Sequence, residues 1–578
     1  MVKLFWQINT ENINKFRKYV SEEGLKTTVT RVYRYLDDNR RYQKWLAANL
    51  VSEEELQKQK ETVFEYAPLI SLIVPVFNTP ADYLKAMIDS VINQSYSNWE
   101  LCIADGSTKG HEASEIVKEY SEKDHRVRFC TLEQNYGISG NTNKALEMVQ
   151  GEYTSLFDHD DVLEPDCLFE IVKSLQETRH DVIYTDEDKL YSEKGIYQTP
   201  NFKPDYSPDL LNSQNYITHF FTVKTDIINA IGGFRSAFDG SQDYDLIFRC
   251  IEKAQSVHHI AKILYHWRMH AASTALNPES KMYCYEAGQK AIQEHYDRTG
   301  IDADVYMMPA PYYGNYHTVY RMKETPLVSV IIRNTGDVET LKRCIHSIRD
   351  FGSYKNIEVI TVSQPETDAV NEEGVKDVIW LEDSQKHSAM LNYGASFANG
   401  KYLLFVSESA EMIKADSIRE MAALSSREET GAVGAKLLDG DQRVRHAGII
   451  IGFDGYAENV FAGERRNSEG YVMRNLVSGN YSAVSGDCLM TKTSLFKELG
   501  GFDEAFEKEA YDLDYCLRIR EKELLVTYCA FSEWYVTQDA ETETADRERF
   551  CEKWKETIAK NDPYYNPCLA LKRKPFRI

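Results

Sequence analysis

Two short stretches carry residues that could do chemistry. In "GEYTSLFDHDD" an apolar, strand-like run ends in Asp158, His159, Asp160 and Asp161. Carboxylates at i and i+2 beside a strand exit suit a divalent ion that takes oxygen ligands and in turn neutralises phosphate. The same residue types also build a solvated, turn-forming acid cluster. In "GSQDYDLIFR", Asp243 and Asp245 open a helix pattern, and Arg249 stands four residues after Asp245, the spacing of a helical ion pair. "YHWRMHAAST" adds His266 and His270. A lone histidine is ordinarily a surface or core residue, and imidazole also complements a carboxylate on a metal.

These residues sit on a duplicated framework. "PLISLIVPVFNTPADYLKAMIDSVINQSYSNWELCIADGS" from Pro68 overlays "PLVSVIIRNTGDVETLKRCIHSIRDFGSYKNIEVITVSQP" from Pro326. Each predicts a β-branched strand, a turn, an amphipathic helix, Tyr-x-Asn and a second strand. "NKALEMVQGEYTSLF" matches "NYGASFANGKYLLFV", "IGGF" matches "LGGF", and "QDYDLIFR" matches "YDLDYCLR", with Asp243 over Asp512. Strand–helix–strand alternation predicts α/β domains with mainly parallel sheets. A period of about 260 residues means domain duplication, not a stacked array.

The expected division is a helical N-terminal extension over residues 1–67, a first domain over 68–320 and a second over 321–578. In the extension, Val29, Val32, Tyr33 and Leu36 fall at helical spacing, and "SEEELQKQKETVFEY" is a second helix pattern. Residues 1–50 hold ten Lys/Arg against five Asp/Glu. That basic face, with "LKRKPFRI" at the end, is either a solvated cap or a surface for anionic lipid.

Composition excludes several classes. A formal charge of −23 argues against nucleic acid as a partner. No apolar run approaches the ~20 residues of a membrane span, and the first residues do not form a signal peptide. Eleven cysteines without a Cys-x-x-Cys pair point to reduced thiols and a cytoplasmic protein. No Gly-x-x-x-x-Gly-Lys-Ser/Thr loop is present, which disfavours a kinase-like nucleotide enzyme.

The order "SLIVPVFN", "WELCIADGS", "NYGISGNTNKAL", "GEYTSLFDHDD", "IGGF", "SQDYDL", "YHWRMHAAST" resembles the inverting family 2 glycosyltransferases of GT-A fold over residues 68–300. Within bacteria it is similar to members with two GT-A domains in tandem, associated with surface and cell-wall polysaccharide synthesis. The resemblance implies that Pro75, Phe77 and Asp105 hold the nucleotide base. It places Asn135, Gly137 and Asn143 near the nucleotide, Asp158 at the ribose, and Asp160 with His270 on a Mn²⁺ or Mg²⁺ ion. Asp243 is implied as the catalytic base, with Asp186, Asp188, Trp267, Arg268 and Lys281 on the acceptor or diphosphate side. The family often has two acids before the Gly-Ser; this chain has only Asp105.

The second repeat lacks most of that set. Asp105 aligns with Ser363, Pro75 with Arg333, Asp158 with Ser407 and Asp160 with Ser409. No histidine follows His446, so His270 has no counterpart, and Asp512 survives at the base position. The expectation is one donor site, in the first repeat, using a UDP-sugar or dTDP-rhamnose. The expected acceptor is a growing, lipid-linked glycan, met at the inner membrane face. The second domain is expected to serve packing, acceptor binding or homodimerisation. Two alternatives stay open: a polymerase with both sites active, and a non-catalytic scaffold of a polysaccharide-assembly complex.

Overall fold

The computed structural model describes residues 25–191, 195–269, 282–368, 372–382, 386–537 and 543–578. The expected extension forms two helices, Leu25–Asn49 and Glu53–Glu61. Ser52 caps the second by accepting from the Glu55 N–H at 3.2 Å, as a Ser-x-x-Glu start predicts. Tyr42 of the long helix is buried, stacks on Trp45 at 5.9 Å and meets Phe202 edge-on. The extension is thereby seated on the first domain.

The first domain is built on strands β1 (Ile70–Val76), β2 (Trp99–Asp105), β3 (Val127–Thr131), β4 (Tyr153–Leu156), β5 (Val162–Leu163), β6 (Val182–Tyr191), β7 (Ile196–Asn201), β8 (Phe221–Lys224) and β9 (Val257–Met269). Their order is β3-β2-β1-β4-β8-β6-β9-β5, with β7 beside β6. β1 to β4 are mutually parallel, and every residue of β1 is buried. A strand covered on both faces needs a continuous apolar run, and "ISLIVPV" is one. Pro75 fits because the β4 ladder stops at Ile73↔Leu156, leaving no bond on that side for its missing N–H to make. The chain runs β1, β2, β3 to one side and returns to β4 on the other. That reversal opens a crevice at the carboxyl ends of β1 and β4, where such sheets bind ligands.

After a small hairpin, β10 (Ala303–Met307) and β11 (Tyr316–Tyr320), the second domain repeats the plan. Its strands are β12 (Val328–Arg333), β13 (Ile357–Ser363), β14 (Val375–Ile379), β15 (Tyr402–Val406), β16 (Ala410–Met412), β17 (Thr430–Leu438), β18 (Cys488–Lys492) and β19 (Leu525–Val536), in the order β14-β13-β12-β15-β18-β17-β19-β16. The register repeats too: Ile70 pairs Tyr153 in the first sheet and Val328 pairs Tyr402 in the second.

Several supporting contacts recur. Asn143 exchanges hydrogen bonds with the backbone of Phe234 (2.9 and 2.8 Å), and Asn392 does the same with Phe502 (2.9 Å each way). Asp245 and Arg249 pair at 2.7 Å; Asp514 and Arg518 pair at 2.8 Å. Arg249 and Arg518 both donate to the carbonyls of their Gly-Gly turns. Helical spacing alone predicts those two ion pairs.

The domains share buried contacts. One apolar cluster runs from Ile73 and Leu210 to Val433 and Trp534. Within the interface Arg427 forks onto Asp209 at 2.6 and 3.0 Å, and Asn480 and Thr527 donate to the same carboxylate at 2.7 Å. Near the C-terminus, Asn566 donates to Asp186 (2.7 Å) and to the Lys203 carbonyl (2.9 Å). The basic tail is partly paired: Arg577 bonds Asp38 and Lys574 bonds Glu464.

Candidate active site

The crevice collects side chains from four strand ends. Phe77 follows β1 and stays 45% exposed although it is a large aromatic. Asp105 ends β2, buried, with Ser107 N–H donating at 2.9 Å and the Ser114 hydroxyl on its other oxygen. Asn78 ties the two loops together through Ser107 and Thr108. Gly106 faces Asn141 so closely that a Cβ would lie 2.8 Å from the amide nitrogen. Asn141 in turn donates to Asn135, which also accepts from Gly137 N–H at 3.0 Å. Gly137 has φ +78, and a Cβ there would meet Asp239 at 3.0 Å, so glycine is required. Phe77, Asp105, Asn135 and Gly137 are therefore neighbours on one rim, and Pro75 is buried within β1 beside Ala104.

Asn143 is not part of that rim. Its amide is engaged by Phe234, and its counterpart Asn392 makes the same clamp in a copy without the acids. Asn143 thus holds the Phe234 turn.

The acid cluster follows β4. Asp161 is fully buried and accepts from the Tyr265 hydroxyl (2.5 Å) and the Arg268 N–H (2.6 Å). Burial, with Asp160 and Asp158 alongside, raises its pKa well above the usual carboxylate range. Arg268 also donates through Nε to the Asp160 carbonyl and lies 4.6 Å over the Tyr83 ring, which places it beside the cluster. Asp158 and Asp160 are less buried, and Asp158 carries the more open side chain.

His219 completes the group. Its Nε2 lies 3.4 Å from Asp158 Oδ2 and its Nδ1 lies 3.3 Å from Glu187 Oε2. The ring stacks on Tyr265 (4.7 Å, 11°), with Trp267 tilted against it at 5.5 Å. Burial alone would lower its pKa, but Asp158 and Glu187 overcome this and raise it well above the ordinary histidine value. Glu187 also meets Lys203 at 3.3 Å; despite its burial its pKa is held down to about 2 by Lys203 and His219. Nothing in "NYITHFF" or "YTDEDKLY" marks His219 and Glu187 as partners, because 32 residues separate them. Only the fold brings them together.

Asp243 starts the helix Gln242–Ile251, half-buried, and accepts from the Asn215 amide at 2.9 Å. Burial raises its pKa, opposed by nearby His219. Thr218 N–H reaches back to Asn215 at 3.4 Å. The segment 215–219 thus touches Asp243 at one end and Asp158 at the other.

Asp186 and Asp188 do not face this crevice. Asp186 is buried against His259 (2.8 Å), the Lys203 N–H and Asn566. Asp188 is buried between His266 (2.6 Å) and the Tyr42 hydroxyl. The acceptor-side expectation for these two is corrected: they fasten the C-terminal segment and the N-terminal helix to β6. His266 meets Glu164 at 2.8 Å as well, and these two acids overcome burial to hold its pKa up to about 10. Trp267 backs His219. His270 and Lys281 lie outside the described residues.

Among the described residues, Asp158, Asp161 and His219 each offer one ligand atom, all within 4.8 Å of one another. Oxygen-rich donors with one imidazole fit Mn²⁺ or Mg²⁺. Asp161 already accepts from two donors, and Asp158 carries the most exposed carboxylate of the cluster.

Glycosyl transferase family 2 matches residues 71–239 and again residues 328–500. The chain belongs to this family. Each match falls within one copy of the fold, so this is a tandem family 2 glycosyltransferase with two GT-A domains. An uncharacterized protein of Sinorhizobium fredii is 37% identical over 88% of this chain and 58% of its own length. The O-antigen biosynthesis protein RfbC of Myxococcus xanthus is 31% identical over 92% of this chain and 42% of its own. The chain thus spans about half the length of these curated relatives. The structure of S. aureus TarS residues 1–349 covers 39% of this chain and 64% of its own, at 19% identity and TM-score 0.32.

Proposed function

We propose that the first repeat, taken as residues 68–320, transfers a sugar with inversion from a nucleoside diphosphate donor to a growing bacterial glycan. The observation that carries this reading is the placement of Asp158 and Asp243 at opposite ends of the segment 215–219. Asp158 is assigned to the donor side and Asp243 to the acceptor side of the anomeric carbon. The exposed Phe77 and the Asp105 loop are suited to the base, and Asp158 to the ribose. A divalent ion held by Asp160 and Asp158 would supply charge neutralisation for the departing diphosphate.

Asp243 removes the proton from an acceptor hydroxyl as that oxygen bonds to the anomeric carbon. The bond from that carbon to the phosphate oxygen breaks on the opposite face, and the diphosphate leaves with the electron pair. A raised pKa brings a carboxylate nearer the value at which general-base catalysis is efficient. Asn215 fixes one of its oxygens. His270 and Lys281 are proposed to join the cation and the diphosphate.

The donor is proposed to be a UDP-sugar or dTDP-rhamnose, and the acceptor a lipid-linked surface or cell-wall glycan, a reading the O-antigen relative supports. No helix among the described residues is long and apolar enough to cross a membrane. Contact with the inner membrane face would rest on basic residues 1–50 and on the exposed Lys572 and Arg573 of the tail, since Lys574 and Arg577 are paired internally. The second repeat is read as a packing domain with a dismantled donor site. A two-site polymerase is the second reading, favoured by Asp512, which burial pushes up to about 6. The test is a donor-hydrolysis screen over nucleotide sugars with Mn²⁺ or Mg²⁺, reading released diphosphate. Metal-dependent release lost in Asp160→Ala supports the reading; no release or binding with any donor contradicts it.

A further inference from the structure

The two repeats separate residues that support the fold from residues that serve the first site. Strand register fixes the correspondence. Tyr153 pairs Lys224 where Tyr402 pairs Lys492, so His219 corresponds to Asp487. Val182 pairs Val223 where Ala432 pairs Thr491, so Glu187 corresponds to Leu437. The trio Asp158, His219 and Glu187 therefore becomes Ser407, Asp487 and Leu437. All three members change together. By contrast, the Asn143 clamp and the Asp245–Arg249 pair persist as Asn392 and Asp514–Arg518.

A histidine needed only for folding would be expected to follow the second group. His219 follows the first. Its ring is also held in one orientation from three sides. Glu187 faces Nδ1, Tyr265 covers one face and Trp267 leans against the ring at 5.5 Å, while Glu187 is itself held by the Thr218 hydroxyl (3.2 Å), the His219 N–H (3.3 Å) and Lys203. Nε2 faces Asp158 Oδ2 at 3.4 Å on the crevice side, with the side chain 17% exposed.

Whatever lies between the acid that holds the donor and the acid that activates the acceptor lies over residues 215–219. In a glycosyl transfer that group is the sugar itself. We propose that His219, oriented by Glu187, contacts the transferred sugar of the nucleotide donor and forms a hydrogen bond with one of its hydroxyls through Nε2. In the second repeat Gly486 N–H, not a side-chain amide, meets Asp512 (2.7 Å). The sugar-facing surface is rebuilt there along with the loss of the acids. This inference rests on the first repeat being a donor site.

The test uses the full chain with Mn²⁺ and calorimetric titration of UDP, UDP-glucose, UDP-N-acetylglucosamine, dTDP and dTDP-rhamnose. His219→Gln and Glu187→Gln are compared with wild type, and thermal unfolding checks that each variant is folded. One lost hydrogen bond to a sugar hydroxyl predicts that His219→Gln weakens the preferred nucleotide sugar about 10-fold and the matching bare diphosphate less than about 2-fold. Glu187→Gln, which keeps a hydrogen-bonding group beside Nδ1, gives a smaller loss of the same kind. An equal loss for diphosphate and nucleotide sugar overturns the proposal and makes His219 a ligand of the cation–diphosphate unit. Unchanged binding of both overturns it as well. If wild type binds none of the five, the donor-site reading fails and takes this inference with it.

Discussion

Ser407 Oγ lies 3.2 Å from Ser409 Oγ, at the end of the strand whose counterpart in the first repeat leads into Asp158 and Asp160. Glu408, between them, is buried and accepts from the Thr335 N–H at 2.8 Å and from its hydroxyl. Thr335 occupies the place of Phe77. The second copy therefore turns Glu408 onto the Thr335 backbone, where the first copy leaves an aromatic ring exposed. Hydroxyls do not replace carboxylates on a hard cation, which needs charge as well as oxygen. The difference between the two copies is thus structural as well as compositional.

Asp243→Asn should leave donor binding within about 2-fold and lower turnover ~10²–10⁴-fold, because a base acts only in the transition state. Its raised pKa also sets the pH profile. Activity should fall as pH drops through a value above that of an ordinary aspartate, and the Asn variant should lose that limb. A wild-type rate in the variant would remove Asp243 from the mechanism.

His266 carries its proton between Asp188 and Glu164, and its folded pKa of about 10 exceeds the ~6.5 of an unfolded histidine. A raised folded value means the stabilisation is complete below pH ~6.5 and fades as pH rises through about 10. His266→Gln should therefore cost more stability at pH 6, about 3–5 kcal/mol for a broken buried pair, than at pH 9.5. Denaturant unfolding at both pH values checks this. Equal losses at the two would contradict the charged assignment.

Much of the framework was legible from the chain itself. Periodic strands and the repeat from Pro68 and Pro326 foretold two α/β domains, and "DHDD" and "SQDYD" marked the acids. His219 and Glu187 were not legible: each is a single polar residue in an apolar or mixed strand context, and their meeting depends on β6 lying next to β8. Asn143 misled for the opposite reason. A polar residue in a glycine-bearing loop looks like a ligand contact, yet its amide satisfies a turn backbone in both copies. Asp186 and Asp188 likewise answer to partners far along the chain, Asn566 and Tyr42, which no local pattern reveals.

Asn143→Ala and Asn392→Ala should each lower stability by about 1–2 kcal/mol, since each leaves a turn N–H and carbonyl without a partner. Nucleotide affinity measured on folded protein should change less than about 2-fold in both. Loss of nucleotide binding in folded Asn143→Ala alone would restore the residue to the site.

Arg427→Met should lower the stability of the domain interface by about 3–5 kcal/mol, because Asp209 would remain buried without its cation. Adding Asp209→Leu should recover much of the loss. Asp209 resists the upward push of burial and has a lowered pKa through Arg427 and its hydrogen bonds. Its contribution is present above the ~3.9 of the unfolded state and is lost as pH falls through the lower folded value. Unfolding midpoints of the single and double variants across pH 3–7 test both statements.

The central claim is that one repeat binds donor and the other does not. Calorimetric titration of the full chain with UDP or dTDP in the presence of Mn²⁺ measures it directly. One nucleotide site per chain is predicted, abolished by Asp160→Ala and unchanged by Asp512→Asn. Two sites per chain, or a site that survives Asp160→Ala and disappears with Glu408→Ala, would contradict it.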